Sequence, residues 1–316
     1  MSRMVVAIGG NALDVHSGGQ QSQLEQAARS LVPLITSGNE IVLVHGNGPQ
    51  VGIIHSTMLD AQQHGIGDGA PFYDCTAMNE GSIGWHFEQA IQRELEREGR
   101  ADIPVCTVVT RVVVDADDPA FKDLEKPVGA FYDEATAKKL MQETGHKYAE
   151  DSGRGWRLMV ASPVPKHIVE AETLKNLAAS GTVVIGAGGA GIPVVRTGQN
   201  TYEGIEGVCD KDITSGLIAQ LIDADLLIIL TAVDRVSINF GKPDQIDLSM
   251  LTPDEAEKYI GEGQFPPGSM QPKVQACADF VRSRPDRKAV IANLNKAGYA
   301  LTGQTGTIIT NDAVSA

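Results

Sequence analysis

Ile41-Val42-Leu43-Val44-His45-Gly46-Asn47-Gly48-Pro49-Gln50-Val51-Gly52 decides the fold. Its first half is a short β-branched run of the kind buried on both faces of a parallel sheet. Its second half breaks at once into glycines, where a backbone without Cβ can turn N–H groups toward an anion. The same sequence of events occurs twice more. Val5-Val6-Ala7-Ile8 runs into Gly9-Gly10-Asn11-Ala12, and Val183-Val184-Ile185 runs into Gly186-Ala187-Gly188-Gly189-Ala190-Gly191. Three glycine clusters, each just past a strand, converge on one edge of a sheet if those strands lie parallel.

Working outward, residues 105–110, 226–231 and 289–292 are further strand-length apolar runs. Helical patterns lie between them, at residues 20–37, 82–98, 213–223 and 274–284. The first sets Leu24, Ala27, Ala28, Leu31 and Ile35 on one face and stops at Gly38. Alternation of this kind predicts an α/β protein, a mainly parallel central sheet between helical layers, with ligands at the carboxyl ends of the strands. Residues 115–165 break the rhythm. They are more polar and too long for an unstructured loop in a compact domain, so a small protruding subdomain inserted in a single domain over residues 1–316 is expected.

Composition narrows the function. Forty acidic residues against 26 basic ones give a net charge of −14. Without a basic stripe, that surface disfavours nucleic acid as a partner. The longest uncharged stretch, residues 176–195, carries five glycines and a proline, so no membrane span is expected. The four cysteines at 75, 106, 209 and 277 are far apart, without metal-binding spacing, and the start of the chain lacks a signal-peptide pattern. A reducing cytoplasm is the expected setting.

Neither a Walker A sequence nor a complete dinucleotide fingerprint is present. The charged residues of interest are lysines. Asp210-Lys211-Asp212 opens a helical pattern, and two readings fit it: a capping aspartate beside a solvated lysine, or a lysine oriented toward phosphate oxygens by an aspartate. Lys273, after Gly268-Ser269-Met270, and Lys126, in Lys126-Pro127-Val128-Gly129, admit the same pair of readings. His45 fits a backbone-bonded core residue or a base.

Taken in order, these motifs resemble the carbamate kinases of the amino-acid kinase superfamily, over residues 5–309 with few gaps. The likeness also takes in Gly81-Ser82-Ile83-Gly84, Gly153-Arg154-Gly155-Trp156-Arg157, Gly191-Ile192-Pro193-Val194, Ile238-Asn239-Phe240-Gly241 and Gly306-Thr307. The resemblance implies the amino-acid kinase fold, a three-layer α-β-α sandwich with a small protruding subdomain, in a homodimer. It implies reversible phosphoryl transfer between ATP and carbamate, giving ADP and carbamoyl phosphate, with Mg2+. Carried onto this chain, it places Gly9, Gly10 and Asn11 with Gly46, Asn47 and Gly48 on the phosphoryl-acceptor side, near Asp210. Lys211 and Lys273 would stabilise the transferring group, Asp212 would hold them, and Lys126 would reach in from the subdomain. The nucleotide would rest on Thr231, Ala232, Val233, Phe240, Gly241, Gly268 and Met270. No protein metal ligands are implied.

Two other functions share this outline: a kinase of another small carboxylate, and a weakened nucleotide-binding regulator. The chain also departs from the family pattern. Asn79 and Glu80 stand where Thr or Ser and then Gln are usual, Ala190 interrupts a glycine run, and Cys209 replaces an aliphatic residue. Glu80 is expected either to point into the anion site or to face solvent at the start of the helix over 82–98.

Overall fold

In a computed structural model that describes residues 2–9, 20–151, 153–300 and 305–312, all six predicted runs are strands of one eight-stranded sheet. Its order is Met250–Leu251, Thr307–Thr310, Lys288–Asn293, Leu226–Thr231, Arg3–Ile8, Glu40–His45, Val183–Gly186 and Val105–Val108. Every neighbouring pair is parallel except Lys288–Asn293 with Thr307–Thr310. Successive side chains leave opposite faces of a strand, and Arg3–Ile8 shows the result. Val5 and Ala7 enter one apolar cluster, and Met4, Val6 and Ile8 enter the other.

Among the described residues, eight helices are longer than a single turn: α1 (Gln20–Thr36), α2 (Gln50–Gln63), α3 (Phe72–Arg97), α4 (Glu134–Thr144), α5 (Ala171–Ala179), α6 (Lys211–Leu221), α7 (Pro253–Gly261) and α8 (Met270–Arg282). The Met4 side of the sheet is covered by α1 and α3 through Leu31, Leu34, Phe87 and Ile91. The Val5 side is covered by α5, α6 and α8 through Leu174, Ile218 and Phe280. Burying each of these large side chains stabilises the fold by about 1.5–3 kcal/mol. The result is a three-layer sandwich. Among the described residues, no helix is long and apolar enough to cross a membrane.

Two sequence expectations need correction. The helix expected over 82–98 starts ten residues earlier, at Phe72 after Pro71, so Glu80 lies inside it rather than at its start. The strand expected over 105–110 ends at Val108. Thr110 turns the chain there, donating its N–H to Glu80 Oε2 and accepting the Ala187 N–H on its hydroxyl. The chain then joins a second sheet, ordered Tyr202–Gly204, Ile192–Arg196, Arg111–Val113 and His167–Ile168.

Within residues 115–165 the chain builds a separate three-stranded antiparallel sheet, Lys126–Tyr132, Trp156–Val160 and Tyr148–Glu150, with α4. Val128, Leu158 and Tyr148 pack on Val51 and Phe72, and this cluster seats the sheet on α2 and α3. At one point two backbones touch. A Cβ on Gly52 of α2 would lie 2.1 Å from the Cα of Gly129, so only glycine allows this approach.

Candidate active site

The glycine clusters follow strands that are immediate neighbours: Glu40–His45 lies between Arg3–Ile8 and Val183–Gly186. Gly9 and the Gly46–Gly48 turn therefore stand beside the Gly188–Gly191 turn at one end of the sheet. Gly10 and Asn11 lie outside the described residues. The Gly46 N–H donates to Ile8 O at 3.1 Å, and Gly48 has φ +59°. Asn47 is tied down on both sides. Its Nδ2 donates to Gly189 O at 2.8 Å, and its Oδ1 accepts from Asn79 Nδ2 at 2.8 Å. Asn79 thus has a positioning job that no local pattern revealed. Ala190 carries φ +78° and is buried. A left-handed alanine costs roughly 1–2 kcal/mol that a glycine would not.

The lysines meet around one carboxylate. Asp212, 2% exposed, accepts from Lys211 Nζ on Oδ1 and from Lys273 Nζ on Oδ2, the latter at 2.8 Å. Lys273 also donates to Ser269 O at 3.1 Å. Burial pushes the Lys211 ammonium below its ordinary range, and the Asp212 charge pulls it back. Neighbouring Asp210 caps α6, its Oδ1 accepting the N–H groups of Asp212 and Ile213. Its Oδ2 accepts from Lys126 Nζ at 2.9 Å. Burial alone would raise the Asp210 carboxyl, but Lys126, with Lys211 and the Asp212 N–H, outweighs it and the group sits at about 2. The aspartate between Cys209 and Lys211 is therefore both helix cap and partner of the subdomain lysine.

Two cavities adjoin here and share Ser269. One, of about 710 Å³, is lined by Gly9, Lys211, Thr231, Ala232, Val233, Met270 and Lys273. The other, of about 730 Å³, is lined by Lys126, Asp210 and Gly268, with Arg154 and Arg157 from the subdomain. Phe240 and Gly241 line neither. They sit on the turn between Val236–Ile238 and Ile246–Leu248, with Phe240 64% exposed. The sequence reading gave no role to Arg154 and Arg157. Both guanidiniums stack on Phe131 and bind Asp151, and the signal for them was the glycine-flanked pair of arginines in an acidic chain.

Beneath the glycine turns lies a buried polar group. His45 is fully buried, and its Nδ1 meets the Gly46 carbonyl at 3.0 Å, so Nδ1 carries the proton and Nε2 a bare lone pair. Burial depresses its pKa to about 4, which makes it a neutral ring at pH 7. Glu80 is 1% exposed inside α3, so the expectation that it faces solvent at a helix start does not hold; its Oε2 is taken by the Thr110 N–H. Burial raises its carboxyl well above the usual range, against the Thr110 N–H, which lowers it. The folded state therefore holds a proton that the unfolded chain releases in the ordinary carboxylate range. Stability is highest below that range and falls as pH rises toward the raised folded value. Glu80→Gln removes this loss while still accepting from Thr110. Its melting temperature should match the parent near pH 4.5 and exceed it by about 3 °C at pH 7.5. Parallel melting curves across that span check this; an equal shift at both ends would mean that Glu80 does not titrate with folding.

Residues 2–293 match the amino acid kinase family. The carbamate kinase of Clostridium perfringens is 47% identical over 313 residues, covering 97% of this chain and 99% of that one. The structure of carbamate kinase from Giardia lamblia bound to citric acid has a TM-score of 0.90 at 36% identity, covering 98% of this chain and 99% of that chain. The same enzyme bound to AMP-PNP gives 0.88 at 36% identity, with the same coverage.

Proposed function

The chain belongs to the amino acid kinase family, and from that membership and the geometry of its lysines we propose how its residues perform the carbamate kinase reaction. That reaction is reversible phosphoryl transfer between ATP and carbamate, giving ADP and carbamoyl phosphate. A carbamate oxygen forms a bond to the γ-phosphorus as the bond from that phosphorus to the ADP oxygen breaks. No proton need move, because carbamate is already an anionic nucleophile. Catalysis then rests on positioning and on positive charge at the oxygens of the transferring group.

The observation that carries this reading is the single buried Asp212 holding Lys211 and Lys273 together beside Gly9. One carboxylate between two ammonium groups leaves a net positive charge, fixed in place before substrate arrives, which is what preorganised stabilisation requires. In the proposed arrangement Thr231, Ala232, Val233 and Met270 receive the nucleotide. Gly9, Gly46, Asn47 and Gly48 receive carbamate, and Lys126 approaches from the subdomain side, held by Asp210. Arg154 and Arg157 join Lys126 there.

Magnesium fits this site as part of the nucleotide substrate. Asp210 and Asp212 are already bound to lysines, and the described residues contain no group of three or more His, Cys, Asp or Glu side chains able to hold a metal. Magnesium commonly takes most of its ligands from phosphates and water. It would supply charge neutralisation on the β- and γ-phosphates.

Protein incubated with ADP, magnesium and carbamoyl phosphate should form ATP, read by a coupled luminescence assay. Acetyl phosphate or an acylglutamyl phosphate working as well as carbamoyl phosphate would point instead to another carboxylate kinase. We also place a second copy of the chain against the α3 face that exposes Met78 and Trp85, 44% and 56% exposed and two turns apart. Sedimentation velocity returning the mass of one protomer would remove that dimer.

A further inference from the structure

A cavity of about 660 Å³ lies between the subdomain sheet and helices α2 and α3. It is separate from the two that meet at Ser269. Its walls are apolar, formed by Phe72, Phe121, Leu158 and Met159 among others. Into it comes His55, only 6% exposed, whose Nδ1 has no hydrogen-bond partner. The ring is wedged between Phe72 and His146, with centroids at 5.0 and 5.8 Å. Burial, with His146 adding to it, depresses His55 to about 4, so at neutral pH the ring is uncharged. A buried polar atom without a partner costs roughly 1–3 kcal/mol unless something in the cavity satisfies it.

The rim sets the charge of that something. Asp68 and Glu206 line the opening and are exposed. Glu206 accepts the Phe72 N–H, and among the described residues neither carboxylate has a cation within ion-pair distance. The lysine on the rim, Lys147, is paired outward with Asp123 at 3.6 Å. The opening is therefore anionic over an apolar chamber. Apolar walls with a few convergent polar groups are the usual make-up of a small-molecule site.

We propose that this cavity is a second ligand site, taking an amine carried on an aromatic or branched apolar body, and that its occupant adjusts the position of Lys126. The ammonium sits between Asp68 and Glu206, and the body fills the chamber beneath. The body packs against the His55 ring, which lines the chamber. The route to the lysine is short. Val160 lines this cavity and is the register partner of Lys126 across the subdomain strands. Glu206 and Gly207 line it too, four and three residues before Asp210, which holds Lys126. A molecule that spreads these walls moves the strand and the aspartate that together aim the lysine.

Calorimetric titration of the full chain with 2-phenylethylamine and, separately, with phenylacetate tests the site without any reliance on turnover. The amine should bind, and phenylacetate, with the same ring and the opposite charge, should not. Asp68→Asn with Glu206→Gln removes both rim charges while leaving an amide oxygen to accept the Phe72 N–H, and should weaken the amine about fivefold, the worth of two exposed ion pairs. No heat from the amine at millimolar concentration, equal binding of amine and acid, or an unweakened double variant would each overturn the site. The effect on Lys126 rests on the proposed reaction and has its own readout: saturating amine should change the carbamoyl phosphate KM at least about twofold, a shift of about 0.4 kcal/mol. Unchanged kinetics with measured binding would overturn the coupling alone. Absent basal turnover would count against the reaction while the titration still judged the site.

Discussion

Lys273→Ala and Lys211→Ala are each expected to lower kcat by about 10²–10³-fold, the usual cost of removing one charge-stabilising group from a transition state. The structure changes what to expect of their stability. In sequence these lysines read as exposed. In the fold their side chains are only 15% and 13% exposed, both against Asp212. Removing either leaves Asp212 with its other lysine, so no buried carboxylate is stranded, and the unfolding free energy from urea melts should fall by no more than about 1 kcal/mol. Removing both strands it, and the double variant should lose more stability than the two singles combined. Steady-state rates and urea melts on the three proteins separate these effects. Near-normal kcat in either single variant would take that lysine out of the reaction.

Gly52→Ala should disable the enzyme from a position with no substrate contact. The new Cβ would stand 2.1 Å from Gly129 Cα and 2.4 Å from its N, both backbone atoms that cannot rotate aside. The strand Lys126–Tyr132 must therefore lift from α2, and Lys126 is its first residue. Overpacking of this kind costs about 1–3 kcal/mol, while a displacement near 1 Å can cost about 10²-fold in rate. Turnover should fall further than stability does, and the loss should resemble that of Lys126→Ala. Equal kcat and an equal melt to the parent would show that the subdomain does not bear on this contact.

Six of the eight strands of the central sheet were open to reading because each is a short apolar run ended by glycine or a polar turn, a signal contained within a few residues. The second sheet was not. Arg111–Val113 and His167–Ile168 are two or three residues long, too brief for any alternation to register. Helix α3 was cut short for another reason. Asn79 and Glu80 are buried in its middle, so the apolar stripe lapses there although the helix continues. The lysines were visible as candidates in local pattern, but their common anchor came only from the family resemblance, since Asp212 and Lys273 stand 61 residues apart. Likewise the Gly52–Gly129 contact is a meeting of two backbones, which leaves no trace in side-chain pattern beyond two glycines.

Asp210 divides its labour by atom. Oδ1 serves the start of α6, and Oδ2 alone grips Lys126. Withdrawing Lys126 would therefore undo one contact at Asp210 and leave the helix cap whole. The carboxylate is a latch mounted on a fixed post: it can let the lysine go and catch it again while Lys211 and Asp212, the next two residues, keep their alignment. Had both oxygens been committed to the cap, or both to the lysine, each release would have loosened the cradle that the next substrate needs.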